Sequence, residues 1–310
     1  MGINNKEFIF WKKLSESGNL KIDVIAYVDI VSSKAVMDDN CRSYRKYKNH
    51  FRLGGYLIKI DGKLSERKAW ISKKYKGEKT YSGYAYIYEE QLSCFIKNAL
   101  DEKKQVVVET NGEKALDLFL HCFSEKVKEK GEDERFRPIA KNCNFASKKQ
   151  ISEMKRLGIS PSFEIDEFEQ NGKTFLKYLG RLRSNNIMPV QNFKKNDIKF
   201  LLNSSCLKAP NIFNLMKNSQ NRTFENKKVL GKKHIISFEI ALDSMIKTSS
   251  YFAFDENFKG RIENGYKADF IVLENDLFEN KNENKISKVF INGEMVFTNE
   301  GLNIEDIENN

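Results

Sequence analysis

The chain has 310 residues, and its 53 lysines and arginines against 43 aspartates and glutamates give a formal net charge of +10. This length is enough to bury one barrel-sized core or two smaller ones. The basic residues are scattered among acidic ones, which favours a solvated surface over a nucleic-acid or membrane-surface partner.

The cysteines and the N-terminus indicate a compartment. Cys41, Cys94, Cys122, Cys143 and Cys206 lie far apart and form no Cys-x-x-Cys pair. Such spacing argues against a disulfide scaffold or a zinc knuckle and is typical of a reducing cytosol. The first residues lack the apolar core of a signal peptide, and no apolar run reaches membrane-spanning length. We therefore expect a cytoplasmic protein.

Short apolar strands and amphipathic helices alternate along most of the chain. Strands are predicted at residues 22–30, 57–60, 105–108, 135–139, 159–165 and 198–203. Helices are predicted within 5–19 and at 89–103, 114–130, 147–157 and 237–249, with a helical or irregular segment at 42–51, a long loop at 64–83 and a mixed segment at 168–184. This alternation is typical of parallel βα units. A closed (β/α) barrel and an open doubly wound sheet both fit, but no glycine-rich phosphate loop supports a dinucleotide-binding version.

The residues that follow the predicted strands decide the chemistry, because barrel enzymes place it at the carboxyl ends of their strands. A hydrolytic metal centre needs histidine and carboxylate there. The three histidines are instead predicted before a strand (His50), inside a helix (His121) and just before a helix (His234). We expect each of them on the surface or on a helix face.

A distinctive stretch, GRIENGYKADFIVL, occupies residues 260–273. It predicts a hairpin that turns at residues 263–265, followed by a second hairpin that turns at Asn292-Gly293. This sequence pattern resembles the closing segment of the amidohydrolase superfamily, in which the chain returns from a metal-dependent barrel to a small flanking β-sandwich. The resemblance implies an α/β protein with an incomplete TIM-like (β/α) barrel in residues 1–255 and a small C-terminal β-sandwich segment in residues 256–310.

Residues 20–300 resemble the C-terminal two-thirds of amidohydrolases similar to N-substituted formamide deformylase. The positions that match the family motifs are Asp61, Gly62, Leu64, Arg67, Ala69, Gly112, Ala115, Arg135 and Arg137. The positions where the family carries its bridging lysine, metal-binding histidine, aspartate, second ligand histidine and catalytic aspartate hold Leu57, Glu109, Glu113, Ala140 and Ser205 here. The family's early His-x-His pair has no counterpart.

The substitutions imply a degenerate member of a family that hydrolyses non-peptide C–N bonds with a divalent metal, typically zinc. We expect no catalytic residue and no cofactor. The residues predicted to bind a small-molecule ligand are Lys59, Asp61, Glu109, Asn111 and Glu113. Lys59 shares a strand face with Leu57, so it either replaces the lost lysine or forms a salt bridge with a barrel carboxylate such as Glu109.

Two other functions remain open at this point. One is an active hydrolase with a rearranged site around Glu109, Glu113 and Asp61. The other is a basic binding module that uses the cluster at residues 42–48, which contains Tyr44 and Tyr47. An incomplete barrel also exposes strand edges, which the terminal helix and loop, a partner chain or a second copy must cover.

Overall fold

The computed structural model describes residues 2–130, 136–204, 212–225, 227–277 and 284–299. One parallel sheet contains seven strands: β1 Gly2–Ile3, β2 Val24–Asp29, β3 Phe51–Lys59, β4 Val106–Glu109, β5 Ile139–Lys141, β6 Ser160–Glu164 and β7 Leu201–Asn203. Their order in the sheet is their order in the chain. Successive right-handed crossovers then leave the helices on one face and curl the sheet. The predicted incomplete barrel is confirmed, since a closed barrel of this type has eight strands.

The helices follow the predicted alternation. They are α1 Asn5–Glu16, α2 Ile30–Asp39, α3 Glu89–Asp101, α4 Glu113–Lys130, α5 Lys148–Arg156, α6 Glu167–Leu179, α7 Arg181–Ser184, α8 Val190–Lys194, α9 Ile212–Asn221, α10 Phe238–Asp243 and α11 Ser249–Ala253. A π-helical turn, Ser244–Thr248, joins α10 to α11. Ser147 and Ser237 cap α5 and α10 through their side chains, and serine is among the residue types preferred at this position. Within the described residues, no helix is both long and apolar enough to cross a bilayer.

Two apolar layers flank the sheet. On the outer face, residues such as Val108 and Ala140 are fully buried in the main core beneath the helices. On the inner face, Leu57, Val107 and Ile139 form a separate cluster with Phe252 of α11. The alternation of side chains along each strand therefore assigns every strand residue to one of these two faces.

The α11 helix closes the amino-terminal end of the barrel interior. Arg137, Gln105 and Arg52, at the amino ends of three strands, donate hydrogen bonds to the carbonyls of residues 251–253. Arg52 also pairs with Asp255 at 2.8 Å, and both side chains are nearly inaccessible to solvent. These donors satisfy carbonyls that a helix end leaves without an intrahelical partner.

The start of β3 and the helix α6 differ from the sequence prediction. β3 begins at Phe51, six residues before the predicted strand. The segment predicted as helical or irregular is irregular after the 3₁₀ turn Cys41–Ser43, apart from two isolated bridges at Tyr44 and Lys48, and only its last residue, Phe51, belongs to β3. A charged residue inside a strand normally signals exposure, but the ion pair with Asp255 allows Arg52 to be buried. The segment predicted as mixed is helical as α6 and α7.

Three antiparallel strands follow the barrel: β10 Phe270–Leu273, β11 Ile286–Ile291 and β12 Glu294–Thr298. A two-stranded ribbon, β8 Thr223–Phe224 with β9 Lys228–Val229, precedes them. The hairpin at Asn292-Gly293 is confirmed, and both residues have positive φ. The first predicted hairpin is wrong, because residues 261–262 pair with no strand and β10 pairs with β11 instead.

Candidate functional site

Five inward-facing side chains meet at the carboxyl ends of β3 to β7, and we call them the mouth row. They are Lys59, Glu109, Lys141, Glu164 and Asn203. In the strand registers, Lys59 is the partner of Glu109, and Glu109 is the partner of Lys141. Glu164 is the partner of Asn203. They lie on the inner face because they alternate with the residues of the outer core. The mouth row is therefore where a barrel of this kind carries its chemistry.

The charges of the mouth row alternate in sign. The Lys141 ammonium forms an ion pair with Glu109, and it also lies 3.7 Å from Glu164 Oε1. Lys59 is exposed and forms no ion pair with any residue in the described part of the chain. The predicted salt bridge between Lys59 and Glu109 is therefore wrong. The Lys141 ammonium therefore lies between the carboxylates of Glu109 and Glu164, and the attraction between opposite charges holds it there.

Three side chains with oxygen atoms that can accept hydrogen bonds lie at the ends of β6 and β7 and at the start of α6, and we call Glu164, Asn203 and Glu167 the acceptor cluster. Glu164 is 7% exposed, and its Oε2 has no hydrogen-bond partner among the described residues. The same is true of Asn203 Oδ1. Glu167, in the first turn of α6, is also buried. Burial, and next the charge of Glu164, raise the pKa of Glu167 to about 7.

Three of the predicted binding residues form a different group. The Asp61 carboxylate accepts hydrogen bonds from the backbone N–H groups of Trp70, Asn111 and Gly112, each at 2.8 Å. Burial raises the pKa of Asp61 to about 7, although these hydrogen bonds favour its ionised form. Glu113 accepts hydrogen bonds from the backbone and hydroxyl of Ser72. Asp61, Asn111 and Glu113 thus join the loop after β3 to the start of α4.

The family-motif matches support that same loop. A Cβ on Gly112 would lie 2.1 Å from the Trp70 carbonyl oxygen, so only glycine fits there. Ala69 and Ala115 are fully buried. The Arg67 guanidinium lies over aromatic rings of the loop and of α6 and pairs with Glu78. These residues build the scaffold and carry no chemistry themselves.

The side chains present do not fit the divalent metal that the resemblance implies. Leu57 packs in the inner apolar cluster, and Ala140 is buried on the outer face opposite Val108. Glu109 forms an ion pair with Lys141. Ser205 lies outside the described residues. In the described ranges, no three or more His, Cys, Asp or Glu side chains are grouped so that they could hold a metal ion.

The histidines lie away from the mouth row. His50 immediately precedes β3 and contacts Asp23 at 2.7 Å, and His121 is exposed on α4. His234 contradicts the expectation of a surface histidine: it is 1% exposed, and neither ring nitrogen has a described partner. Burial, and next the charge of Arg222, lower its pKa to about 3. The two lysines that precede it in the sequence indicated exposure.

The basic cluster at residues 42–48 packs against the end of α11. The Arg45 guanidinium lies 3.2 Å from the ring centre of Phe254, and the Tyr47 hydroxyl donates to Asp255 at 2.9 Å. Part of this cluster is therefore occupied by contacts within the chain. A cavity of about 520 Å³ opens nearby at the amino ends of β5 and β6, where Arg137, Ser160 and Phe252 line it. It lies at the opposite end of these strands from the mouth row.

Sequence reasoning missed Lys141, Glu164, Glu167 and Asn203 as site residues. The family comparison assigned the ligand position on β5 to Ala140, but the sheet register turns Lys141 inward. Strand alternation from Ile139 could have identified Lys141 had the strand ends been known. The buried glutamates had no such signal, because their burial depends on contacts that are distant in sequence.

Comparisons with known proteins agree with this fold. The family model described as "Amidohydrolase family" matches residues 2–297. An uncharacterized metal-dependent hydrolase from Pyrococcus horikoshii OT3 is 22% identical with a TM-score of 0.74, and the match covers 86% of this chain and 53% of that one. An uncharacterized metal-dependent hydrolase from Pyrococcus furiosus is 20% identical with a TM-score of 0.72, and the match covers 86% of this chain and 54% of that one. An adenosine deaminase from Xanthomonas campestris with bound zinc is 10% identical with a TM-score of 0.59, covering 92% and 63%. The chain thus spans about half the length of the two Pyrococcus structures. No curated protein matches it.

Proposed function

Because the chain belongs to the amidohydrolase family, we propose that it is a degenerate member that binds a small polar molecule at the mouth row and does not hydrolyse carbon–nitrogen bonds. The observation that carries the proposal is the position of Lys141. Its ammonium pairs with Glu109, which stands at a metal-ligand position of the family. A cation is already provided there by the protein.

Hydrolysis at neutral pH requires more than a single carboxylate. A metal that activates water is held by several ligands, and a carboxylate must move the proton. Leu57 and Ala140 have no side-chain lone pair to offer. The two Pyrococcus structures are described as metal-dependent hydrolases, and the described residues of this chain supply too few donors for that chemistry.

The proposal also covers the cellular compartment and the binding partner. The four cysteines that the structure describes are free thiols, which supports a reducing, cytoplasmic setting. The partner is a small molecule rather than nucleic acid or a membrane.

Metal analysis tests this function. The purified full-length chain is incubated with zinc, dialysed and analysed for bound metal, and turnover of an N-substituted formamide is measured in parallel. We expect zinc far below stoichiometry, no turnover, and no change in either with Glu109→Ala. Stoichiometric zinc that survives dialysis and is lost with Glu109→Ala would instead establish an active, rearranged hydrolase site.

A further inference from the structure

We propose that the acceptor cluster binds the primary ammonium group of a small zwitterionic molecule whose carboxylate pairs with Lys59. This inference rests on the proposed function, since it names the chemical class of the ligand at the same mouth row. It follows from two features that lie on opposite sides of that row. One is a pair of buried oxygens without donors among the described residues, and the other is an exposed cation that forms no ion pair with any of those residues.

The buried oxygens belong to neighbouring strands. Glu164 and Asn203 are register partners in the ladder between β6 and β7, so their side chains stand side by side on the inner face. Glu164 is 7% exposed, yet its Oε2 has no described hydrogen-bond partner, and Asn203 Oδ1 is likewise without one. Buried polar atoms in folded proteins are normally hydrogen-bonded. This pair therefore indicates a donor from outside the described chain.

The chemistry of the cluster selects an ammonium as that donor. A primary ammonium offers three N–H donors and a positive charge, and hydrogen bonds between charged partners are the stronger ones. Lys141 does not meet this need, because it is paired with Glu109 and approaches the other oxygen, Oε1, of Glu164 only at 3.7 Å. Glu167 is the third side chain of the cluster, and its carboxyl group adds further oxygen acceptors close to Glu164.

Lys59 supplies the opposite end of the site. It is exposed at the end of β3 and forms no ion pair in the described part of the chain. β3 and β6 are three strand spacings apart in the sheet, which is roughly 14 Å along its surface. Both side chains point into the barrel and shorten this gap. The ligand is therefore expected to separate its ammonium and carboxylate by several carbons, as an ω-amino acid does.

Calorimetric titration of the full-length chain at neutral pH tests the proposal with three probes: 6-aminohexanoate, hexylamine and hexanoate. We expect 6-aminohexanoate to bind most tightly. Glu164→Gln keeps the side-chain volume and should weaken both amines at least tenfold. Lys59→Ala should weaken 6-aminohexanoate at least tenfold and leave hexylamine unchanged. Glu125→Gln, at an ion-paired carboxylate on the outer helix α4, is the matched control and should bind all probes as the wild type does.

Two results would overturn the inference. One is the absence of saturable binding by either amine. The other is amine binding that Glu164→Gln leaves intact in a folded protein. If that variant does not fold, Asn203→Asp replaces it: an added negative charge should tighten amine binding, and no change or a loss counts against the site. These outcomes can be distinguished from the result of the zinc assay. A protein that holds no zinc, shows no turnover and binds no amine would contradict this inference but not the proposed loss of hydrolase activity.

Discussion

Asp61 matches a family motif, yet its contacts give it a structural task. Its two carboxylate oxygens accept three backbone N–H donors and the Asn111 side chain at 3.3 Å, and the residue is 1% exposed. A carboxylate is the only side-chain group that offers acceptors on both sides without a donor. The backbone hydrogen bonds of two loops therefore depend on this one residue.

Asp61→Asn should lower the free energy of unfolding by about 1–3 kcal/mol, because the new amide N–H₂ faces a backbone N–H and leaves it unsatisfied. The measurement is urea unfolding at pH 8. Asp197→Asn is the control, since the Asp197 side chain is 91% exposed. Unchanged stability together with lost ligand binding would make Asp61 a binding residue instead.

Residue-level sequence reasoning succeeded where identity depends on local geometry. Gly112 and Ala115 were recognised through a motif whose steric requirements the structure shows. It failed for the partner of Glu109, because the sheet register places both Lys59 and Lys141 beside Glu109 and only the side-chain positions show that Lys141 forms the ion pair. It also failed for His234, whose burial arises from elements distant in sequence.

Among the elements, the segment from α10 to α11 covers the free edge of the sheet at β7. Ser244, in its π-helical turn, accepts a hydrogen bond from the Leu202 N–H at 3.0 Å and donates to the Phe200 carbonyl at 2.8 Å. These are backbone groups that a further strand would otherwise bond along the free side of β7. The terminal helix thus covers this edge, as one of the alternatives from the sequence anticipated.

Ser244→Ala should lower the free energy of unfolding by about 1–3 kcal/mol, since it leaves a buried N–H without an acceptor. Amide hydrogen exchange should also become faster at Leu202. Ser17→Ala is the comparison, because the Ser17 hydroxyl donates to the Leu14 carbonyl and accepts from the Asn19 side chain at an exposed helix end. Equal exchange rates at Leu202 in the two variants would show that Ser244 does not protect the edge.

Element prediction worked for helices with a clear apolar face and for strands buried on both sides. The predicted strand at residues 22–30 is β2, and the helix predicted at residues 89–103 is α3. The beginning of β3 could not be predicted, because Arg52 is buried only through its pairing with Asp255, about 200 residues later in the chain. The false first hairpin has a local origin: its turn forms at Glu263–Tyr266, but the Lys267 N–H donates to the Phe258 carbonyl, so the residue after the turn does not extend a strand pair.

At the scale of the whole molecule, the start of the barrel is tied to the segment that follows it. The Lys259 ammonium pairs with Asp23, just before β2, and lies 3.1 Å from Asp269, just before β10. The side chains of Lys259 and Asp23 are only 14% and 11% exposed. One cation therefore connects two carboxylates that the sequence places about 250 residues apart, where screening by solvent is weak.

The pH dependence of this connection follows from Asp23. Burial alone would raise the pKa of Asp23, but its hydrogen bonds with Lys259 and His50 outweigh burial and hold the pKa below its usual value. A carboxyl group with a lowered pKa in the folded state stabilises the fold above its unfolded pKa. That contribution is lost as the pH falls through the folded-state value, where Asp23 becomes protonated.

Lys259→Met should therefore lower the free energy of unfolding by about 2–3 kcal/mol at pH 7, somewhat less than for a fully buried pair, because Asp23 keeps His50 as a partner. The difference between wild type and variant should narrow at about pH 2.5, below the usual aspartate pKa, because the stabilisation by Asp23 is lost as the pH falls toward its lowered folded-state pKa. Urea unfolding at the two pH values measures both effects. Lys247→Met, which removes an exposed pair with Asp243 on the helix surface, should cost about 0–1 kcal/mol at either pH. A Lys259→Met variant as stable as this control at pH 7 would mean that the Lys259 ion pairs do not stabilise the connection between the start of the barrel and the segment that follows it.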